Sequence, residues 1–131
     1  MTDTTGVTVD DTATAALVDR YLEMWRATEP ARRAELVAAV FADDGRHVDR
    51  LADVSGHEAL EGLLAEVHER FPGFTIERTS GIDRYGDQLR FAWRLDAADG
   101  TPVVAGTDVA ELAPDGRIAR VAGFWGDLPA R

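Results

Sequence analysis

The sequence predicts an α+β domain in which three N-terminal helices pack on an antiparallel β-sheet. Apolar residues recur at helical spacing over roughly the first seventy residues and then alternate with polar residues at strand spacing. Turn-forming pairs separate the strand-like segments. With 131 residues and 45% hydrophobic content, the chain has room for one such domain.

The first helix is predicted at residues 12–27, where Leu17, Tyr21 and Trp25 recur every four residues. The segment before it, residues 1–11, is acidic and rich in threonine. We interpret it as a flexible acidic tail, followed by a single domain that extends to the end of the chain. Because the segment lacks the basic start and apolar middle of a signal peptide, it favours a soluble, cytoplasmic protein.

The second and third helices follow with recognisable boundaries. TEP at 28–30 places a proline early in the first turn of the second helix, which is expected to end at DDG, 43–45. A short strand, GRHVDR at 45–50, comes next. The third helix is predicted within HEALEGLLAEVHERF, 57–71, and stops before the Pro-Gly pair at 72–73.

Four further strands are predicted in the second half of the chain: FTIERTSGIDR, QLRFAWRLDA, TPVVAGTDVAEL and RIARVAGFW. The last two are apolar on both faces, whereas helices can cover only one face of the sheet. We therefore expect a homodimer that forms through the outer face of the sheet.

Composition excludes several classes of function. Lys and Arg total 14 against 24 Asp and Glu, and the resulting net charge of -10 would repel nucleic acid and anionic membrane surfaces. The chain has no cysteine, so a disulfide framework or a thiolate metal site is impossible.

Several motifs, in order, resemble one known superfamily. They are FADDGRHVDR at 41–50, FPG at 71–73, RFAWRLDAADG at 90–100 and GTDVAELAPDGRI at 106–118. With them, the chain resembles the nuclear transport factor 2-like superfamily, in its SnoaL-like and ketosteroid-isomerase-like branch. The resemblance implies a cystatin-like cone, in which the helices and a curved sheet surround an apolar pocket, so the expected ligand is a hydrophobic small molecule. The fold hosts cyclases, isomerases, hydrolases and silent binding modules, so it does not by itself specify a function.

The steroid isomerase of this superfamily is the nearest mechanistic template. Matched to it residue by residue, Asp49 takes the position of the base, and Tyr21 and Asp108 take the positions of the two oxyanion donors. His47, on the same strand face as Asp49, is a candidate for orienting the base or shuttling a proton. The proline that usually follows the base is Arg50 here, and a guanidinium that folded back on Asp49 would lower the pKa of the carboxylate.

Each of these residues also has a structural interpretation. Asp49 could be a solvated carboxylate at a strand end, and Asp108 could be hydrogen-bonded across the sheet or paired at a dimer interface. Tyr21 could be a core residue whose hydroxyl is satisfied at the edge of the core, and His47 could be a polar residue at the pocket mouth. The pocket walls are assigned to four apolar side chains: Leu63, Phe91, Trp93 and Trp125.

Cofactors and metals are not expected, because no histidine pair has ligand spacing. The favoured function is an isomerase- or cyclase-type enzyme that abstracts a proton next to a carbonyl, and the alternative is a binding or dimerisation module without chemistry. An epoxide hydrolase is a lesser alternative. Arg94 and Asp96 match its Arg-x-Asp motif, but strand alternation turns both outward, and Gly123 occupies the position of the second aspartate.

Overall fold

The computed structural model of the chain describes residues 3–131, with side chains described from residue 12 onwards. The predicted flexible tail, residues 1–11, lies outside the part with described side chains and stays a prediction. Three helices form, as the sequence predicts, although the first begins before the predicted residue 12: α1 is Asp3–Arg26, α2 is Pro30–Val40 and α3 is His57–Arg70.

The strands form a single curved sheet. They are β1 (Phe41–Val48), β2 (Asp53–Ser55), β3 (Thr75–Arg78), β4 (Asp83–Tyr85), β5 (Gln88–Asp96), β6 (Pro102–Leu112) and β7 (Ile118–Trp125). Their order is β2-β1-β7-β6-β5-β3, and β4 also pairs with β5. The predicted α+β class is confirmed. One pair departs from the antiparallel expectation, because the chain crosses through α3 after β1 and returns along the meander, which makes β7 parallel to β1.

The end of α2 differs from the prediction. DDG at 43–45 does not end the helix, because Phe41 is already extended, with φ -103° and ψ 142°, and the three residues lie inside β1. The β1–β7 register shifts between Phe41 and Arg46. A Cβ on Gly45 would lie 2.6 Å from Cδ1 of Phe41, so the glycine lets this irregular strand fold against its own aromatic ring.

FTIERTSGIDR also differs, because it forms two short strands, β3 and β4, rather than one. Between them the chain leaves the regular ladder, and the Oγ of Ser80 accepts a hydrogen bond from the backbone N–H of Ala92 at 2.8 Å. The strand predicted at 45–50 ends at Val48, which leaves Asp49 in the turn that leads to β2. That turn matters for the site, because it supplies backbone donors.

The three helices cover the inner face of the sheet, and the core lies between them. Tyr21, Val37, Phe41, Leu64 and Val121 are among its fully buried side chains. On β5, buried residues alternate with exposed ones along the strand. Within the described chain, no helix combines the length and apolarity needed to cross a membrane.

Candidate functional site

Two adjoining cavities open between α3 and the sheet. The outer cavity has a volume of about 570 Å³ and lies among α3, the turn after β1 and the start of β2. The inner chamber is smaller, about 60 Å³, and reaches down to the sheet. Four residues line both: Trp25, Asp49, Val67 and Trp125. Asp49 therefore lies at the boundary between a roomy space and a narrow one.

The Asp49 carboxylate is held by three hydrogen bonds. Its Oδ1 accepts the backbone N–H groups of Leu51 and Ala52, at 2.8 and 2.9 Å, and its Oδ2 lies 2.9 Å from Nε2 of His47. Partial burial pushes the pKa of Asp49 upward, but these donors outweigh burial and hold the pKa below its usual value. Asp49 is therefore an ionised carboxylate at neutral pH.

Arg50 does not take part in this arrangement. Its guanidinium carbon lies 5.7 Å from the centroid of the Trp125 ring, in a cation–π contact, and no ion pair joins it to Asp49. The groups that lower the pKa of Asp49 are His47 and the backbone N–H groups of the turn. Trp125 lines both cavities, so the contact places a cation on the ring that forms one of their walls.

His47 is a buried polar residue that contacts Asp49. It is 3% exposed, and its ring packs edge-on against Trp25 at a centroid distance of 5.6 Å. With the proton on Nε2, the imidazole donates to Asp49 Oδ2. Because the indole ring limits its movement, His47 is placed to orient Asp49.

Asp108 lies in the inner chamber on β6 and is 4% exposed. The Tyr21 hydroxyl donates to its Oδ2 at 2.6 Å, and Nε1–H of Trp93 donates to its Oδ1 at 2.9 Å. Burial raises the pKa of Asp108 above its usual value, although both donors and the nearby His47 oppose the rise. When it is protonated, this carboxyl has one O–H of its own that it can donate.

Tyr21 lies behind Asp108 rather than beside it. Its ring is 1% exposed and packs among Trp25, Phe41 and Phe91, and it lines neither the outer cavity nor the inner chamber. Burial, followed by the charge of Asp108, raises the pKa of Tyr21 well above its usual value, so the phenol stays protonated. The structure therefore places Tyr21 as a support for Asp108, whereas the sequence predicted a second donor to the ligand.

One glycine separates the two acids along the sheet. In the ladder Asp108 pairs with Gly123, and on the other side of β7 Val48 pairs with Ala122, so Asp49 follows next to Gly123. A Cβ on Gly123 would lie 2.9 Å from Oδ1 of Asp108 and 3.4 Å from Cβ of Asp49. Because residue 123 has no side chain, the two aspartate side chains have room to lie in these positions.

The predicted wall residues divide between cavity and core. Leu63 lines the outer cavity, Trp93 the inner chamber and Trp125 both, whereas Phe91 packs against Tyr21 in the core at 5.9 Å. Trp25, which the apolar stripe of the first helix assigned to the core, lines both cavities.

Two sets of hydrogen-bond donors to the acids were also not predicted from the sequence. The indole N–H of Trp93 was not recognised as a partner of Asp108, although its place on the inward face of β5 was available as a signal. The backbone N–H groups that hold Asp49 had no signal in the sequence, because they depend on the turn between β1 and β2.

The remaining polar candidates are structural. Nε2 of His57 lies 2.9 Å from the carbonyl oxygen of Phe41, and Nε2 of His68 lies 2.7 Å from that of Trp25. Nε of Arg94 donates a hydrogen bond to Oδ1 of Asp96 at 3.1 Å, and this ion pair lies outside both cavities. No cluster of three or more His, Asp or Glu suited to a metal ion occurs in the described part of the chain.

Comparison with known proteins agrees with this fold. Residues 18–121 match the family described as the SnoaL-like domain. The chain belongs to the SnoaL-like family. A solved structure from Agrobacterium tumefaciens, provisionally named an isomerase of the SnoaL-like family, is 33% identical with a TM-score of 0.84, and the match covers 88% of this chain and 99% of that one. No curated protein matches the sequence.

More distant structures share the SnoaL-like fold. A protein from Jannaschia sp. CCS1, provisionally named a SnoaL-like polyketide cyclase, is 20% identical with a TM-score of 0.72, over 87% of this chain and 85% of that one. An Exiguobacterium protein described as NTF2-like and of unknown function is 24% identical with a TM-score of 0.70, over 86% and 99%. These two similarities show a shared fold.

Proposed function

We propose that this SnoaL-like protein is an isomerase- or cyclase-type enzyme that removes a proton next to a carbonyl group of a hydrophobic substrate. One observation carries the proposal. Two carboxyl groups line the same inner chamber, and their surroundings push their pKa values in opposite directions, down for Asp49 and up for Asp108. Such a pair supplies a base and an acid at the same pH.

In the proposed step Asp49 takes a proton from the carbon next to the carbonyl. The electron pair of that C–H bond forms a carbon–carbon double bond, and the carbonyl π electrons move onto oxygen, which accepts a hydrogen bond from the neutral Asp108. Where the enolate is conjugated with a carbon–carbon double bond, return of the proton from Asp49 to the far carbon re-forms the carbonyl and gives isomerisation. Where the enolate carbon instead attacks a second carbonyl of the same molecule, a ring closes, the first carbonyl re-forms, and the new alkoxide takes the proton from Asp49.

The outer cavity would hold the body of the substrate. Its lining is mainly apolar and includes Trp25, Leu63, Val67, Phe71 and Trp125. A volume of about 570 Å³ lies within the range of small-molecule sites. Removing water from the acids would strengthen their electrostatic interactions with the developing enolate.

Deuterium exchange tests the proposal. With 2-acetylnaphthalene in D2O, NMR should show loss of the methyl protons faster with the protein than in buffer alone. Asp49→Asn should abolish the enhancement, because an amide is not a base. The matched control is Asp44→Asn, which changes an exposed aspartate on β1 outside both cavities and should leave the enhancement unchanged. A rate equal to that of buffer, or equal rates for the wild type and Asp49→Asn, would contradict the proposal.

A binding module without chemistry is the second candidate, and the hydrogen bonds to Asp49 favour it. Three donors lower the pKa of this carboxylate, which makes it a weaker base. The probe that separates the two is 2-naphthol, a mimic of an enolate. An enzyme of the proposed type should bind it through Asp108, and the affinity should fall in Asp108→Ala. Tight binding that survives this change, together with no exchange of the ketone, would favour the binder.

We also propose that a second copy of the chain covers the outer face of the sheet. Val103 is 41% exposed and Phe124 is 62% exposed, and both point away from the helices. Thr107 pairs with Phe124, and Val109 with Ala122, so small and apolar side chains continue across two strands of this face. Such a surface is typical of an interface between subunits.

A further inference from the structure

The inner chamber is narrow compared with the outer cavity. Its volume of about 60 Å³ lies among Ile76, Trp93, Leu95 and the two acids. This volume is roughly a tenth of that of the outer cavity, about 570 Å³, so little room is left beside the two acids. We expect a carbonyl with one small substituent to enter this space more readily than a carbonyl flanked by a bulky group.

Gly123 lies between the acids for reasons of space rather than backbone conformation. Its φ is not in the left-handed region, so any residue could adopt its strand geometry. Glycine nevertheless weakens a strand, and in the interior of a sheet it often marks a close approach. The approach here is to Oδ1 of Asp108, 2.9 Å from where a Cβ would lie.

Asp108 has little freedom to yield to a larger side chain at 123. Both of its oxygens are engaged, Oδ2 by Tyr21 at 2.6 Å and Oδ1 by Trp93 at 2.9 Å, and it is 4% exposed. A methyl group at 123 would break the Trp93 hydrogen bond or push the carboxyl into the chamber that it lines. Either result would narrow or deform the space between the acids.

We propose that the inner chamber selects ligands whose carbonyl carries a narrow end, and that Gly123 is the positioning residue that keeps the chamber open between Asp49 and Asp108. The inference rests on the proposed function, since it assumes that a carbonyl enters the chamber. It adds the shape of the substrate. The body stays in the outer cavity, and only a slender carbonyl-bearing end, such as an acetyl group, reaches both acids.

Two ketones with the same body test the selection. Isothermal titration calorimetry would compare 2-acetylnaphthalene with cyclohexyl 2-naphthyl ketone, which has the same naphthalene and an α-hydrogen but a wide carbonyl end. The wild-type protein should bind the acetyl compound on the order of tenfold or more tightly, as expected when a group exceeds its pocket. Equal affinities, or no binding of either ketone, would overturn the proposal.

Variants then locate the cause. Gly123→Ala should weaken binding of 2-acetylnaphthalene on the order of tenfold, whereas Gly81→Ala should not, because no atom lies within 4 Å of its added Cβ. Should Gly123→Ala fail to fold, Val67→Ala provides a second test. Val67 lines both cavities, and its truncation should improve binding of the wide ketone. Unchanged affinities in a folded Gly123→Ala protein would refute the role of this glycine. An unchanged affinity of Val67→Ala for the wide ketone would refute selection by width.

Calorimetry also separates this inference from the proposed function. If the wild type prefers the acetyl ketone but shows no deuterium exchange, selection by the chamber stands and proton abstraction fails. If exchange occurs with both ketones at similar rates and affinities, proton abstraction stands and selection by width fails.

Discussion

Replacing Tyr21 with phenylalanine removes one oxygen from the centre of the site and leaves the packing intact. The ring still contacts Trp25, Phe41 and Phe91, with centroid distances of 5.9 to 6.4 Å. What is lost is the O–H that donates to Oδ2 of Asp108 at 2.6 Å. Both residues are buried, so water cannot easily replace the missing donor.

The expected loss of stability follows from the charge of Asp108. When this carboxyl is neutral, the lost hydrogen bond is worth about 1 kcal/mol in the free energy of unfolding. When it is ionised, a buried anion has lost a donor, and the loss rises to about 1.5–3 kcal/mol. For a chain of this length each kcal/mol lowers the Tm by roughly 4 °C.

The pH dependence has a definite sign. Burial raises the folded-state pKa of Asp108 above the unfolded value of 3.8, so its contribution to stability is fully present below pH 3.8 and is lost as pH rises through the folded pKa. Tyr21 opposes this rise in pKa, so Tyr21→Phe raises the folded pKa further. The variant keeps losing stability at pH values where the wild type has stopped, and the two curves diverge as pH rises.

Urea denaturation between about pH 4 and pH 9 measures this divergence from the stability curves of the two proteins. The matched control is Tyr85→Phe, which changes the other tyrosine of the chain, 78% exposed, and should alter stability by less than about 0.5 kcal/mol at every pH. A penalty for Tyr21→Phe no larger than that of the control, or one that shrinks as pH rises, would refute the hydrogen bond or the direction of the Asp108 pKa shift.

Three further changes have definite expected outcomes. His47→Phe keeps a ring beside Trp25 but removes the donor to Asp49, so the pKa of Asp49 should rise when followed by carboxyl NMR; an unchanged titration would exclude the hydrogen bond. Arg50→Ala should leave the pKa of Asp49 unchanged, because the guanidinium lies over the Trp125 ring. A clear rise in that pKa would show that Arg50 pairs with Asp49 in solution. If the outer face is a dimer interface, Phe124→Asp should lower the mass measured by light scattering, whereas Leu128→Asp, at a residue 92% exposed beyond β7, should not; a monomeric wild type would rule the interface out.

Much of the fold was available from the sequence. The helical stripe of Tyr21 and Trp25 and the alternation of Phe91, Trp93 and Leu95 predict the helices and the buried face of β5 correctly. Errors arose where local signals compete with tertiary contacts. The DDG segment has the composition of a helix stop, yet pairing of β1 with β7 draws it into a strand.

The candidate site shows the same division. By residue type and order the sequence identified four polar side chains, Tyr21, His47, Asp49 and Asp108, and the structure brings them together. It could not identify their partners. Arg50 and His47 were both within reach of Asp49 along the chain, and only the packing of His47 against Trp25, with Arg50 over another ring, decided between them.

The sequence by itself determined the fold class, because periodicity acts over short stretches of chain. Its ordered motifs indicated the family and, through that resemblance, which acids belong to one site. Only the tertiary structure decided that Tyr21 supports Asp108 from behind, that Trp93 donates to the same carboxyl, and that Gly123 leaves the two acids room. These features depend on atoms from strands and helices far apart in sequence. The pKa shifts of the two acids and the volume of the chamber between them depend on distances of a few ångströms, which no local sequence pattern specifies.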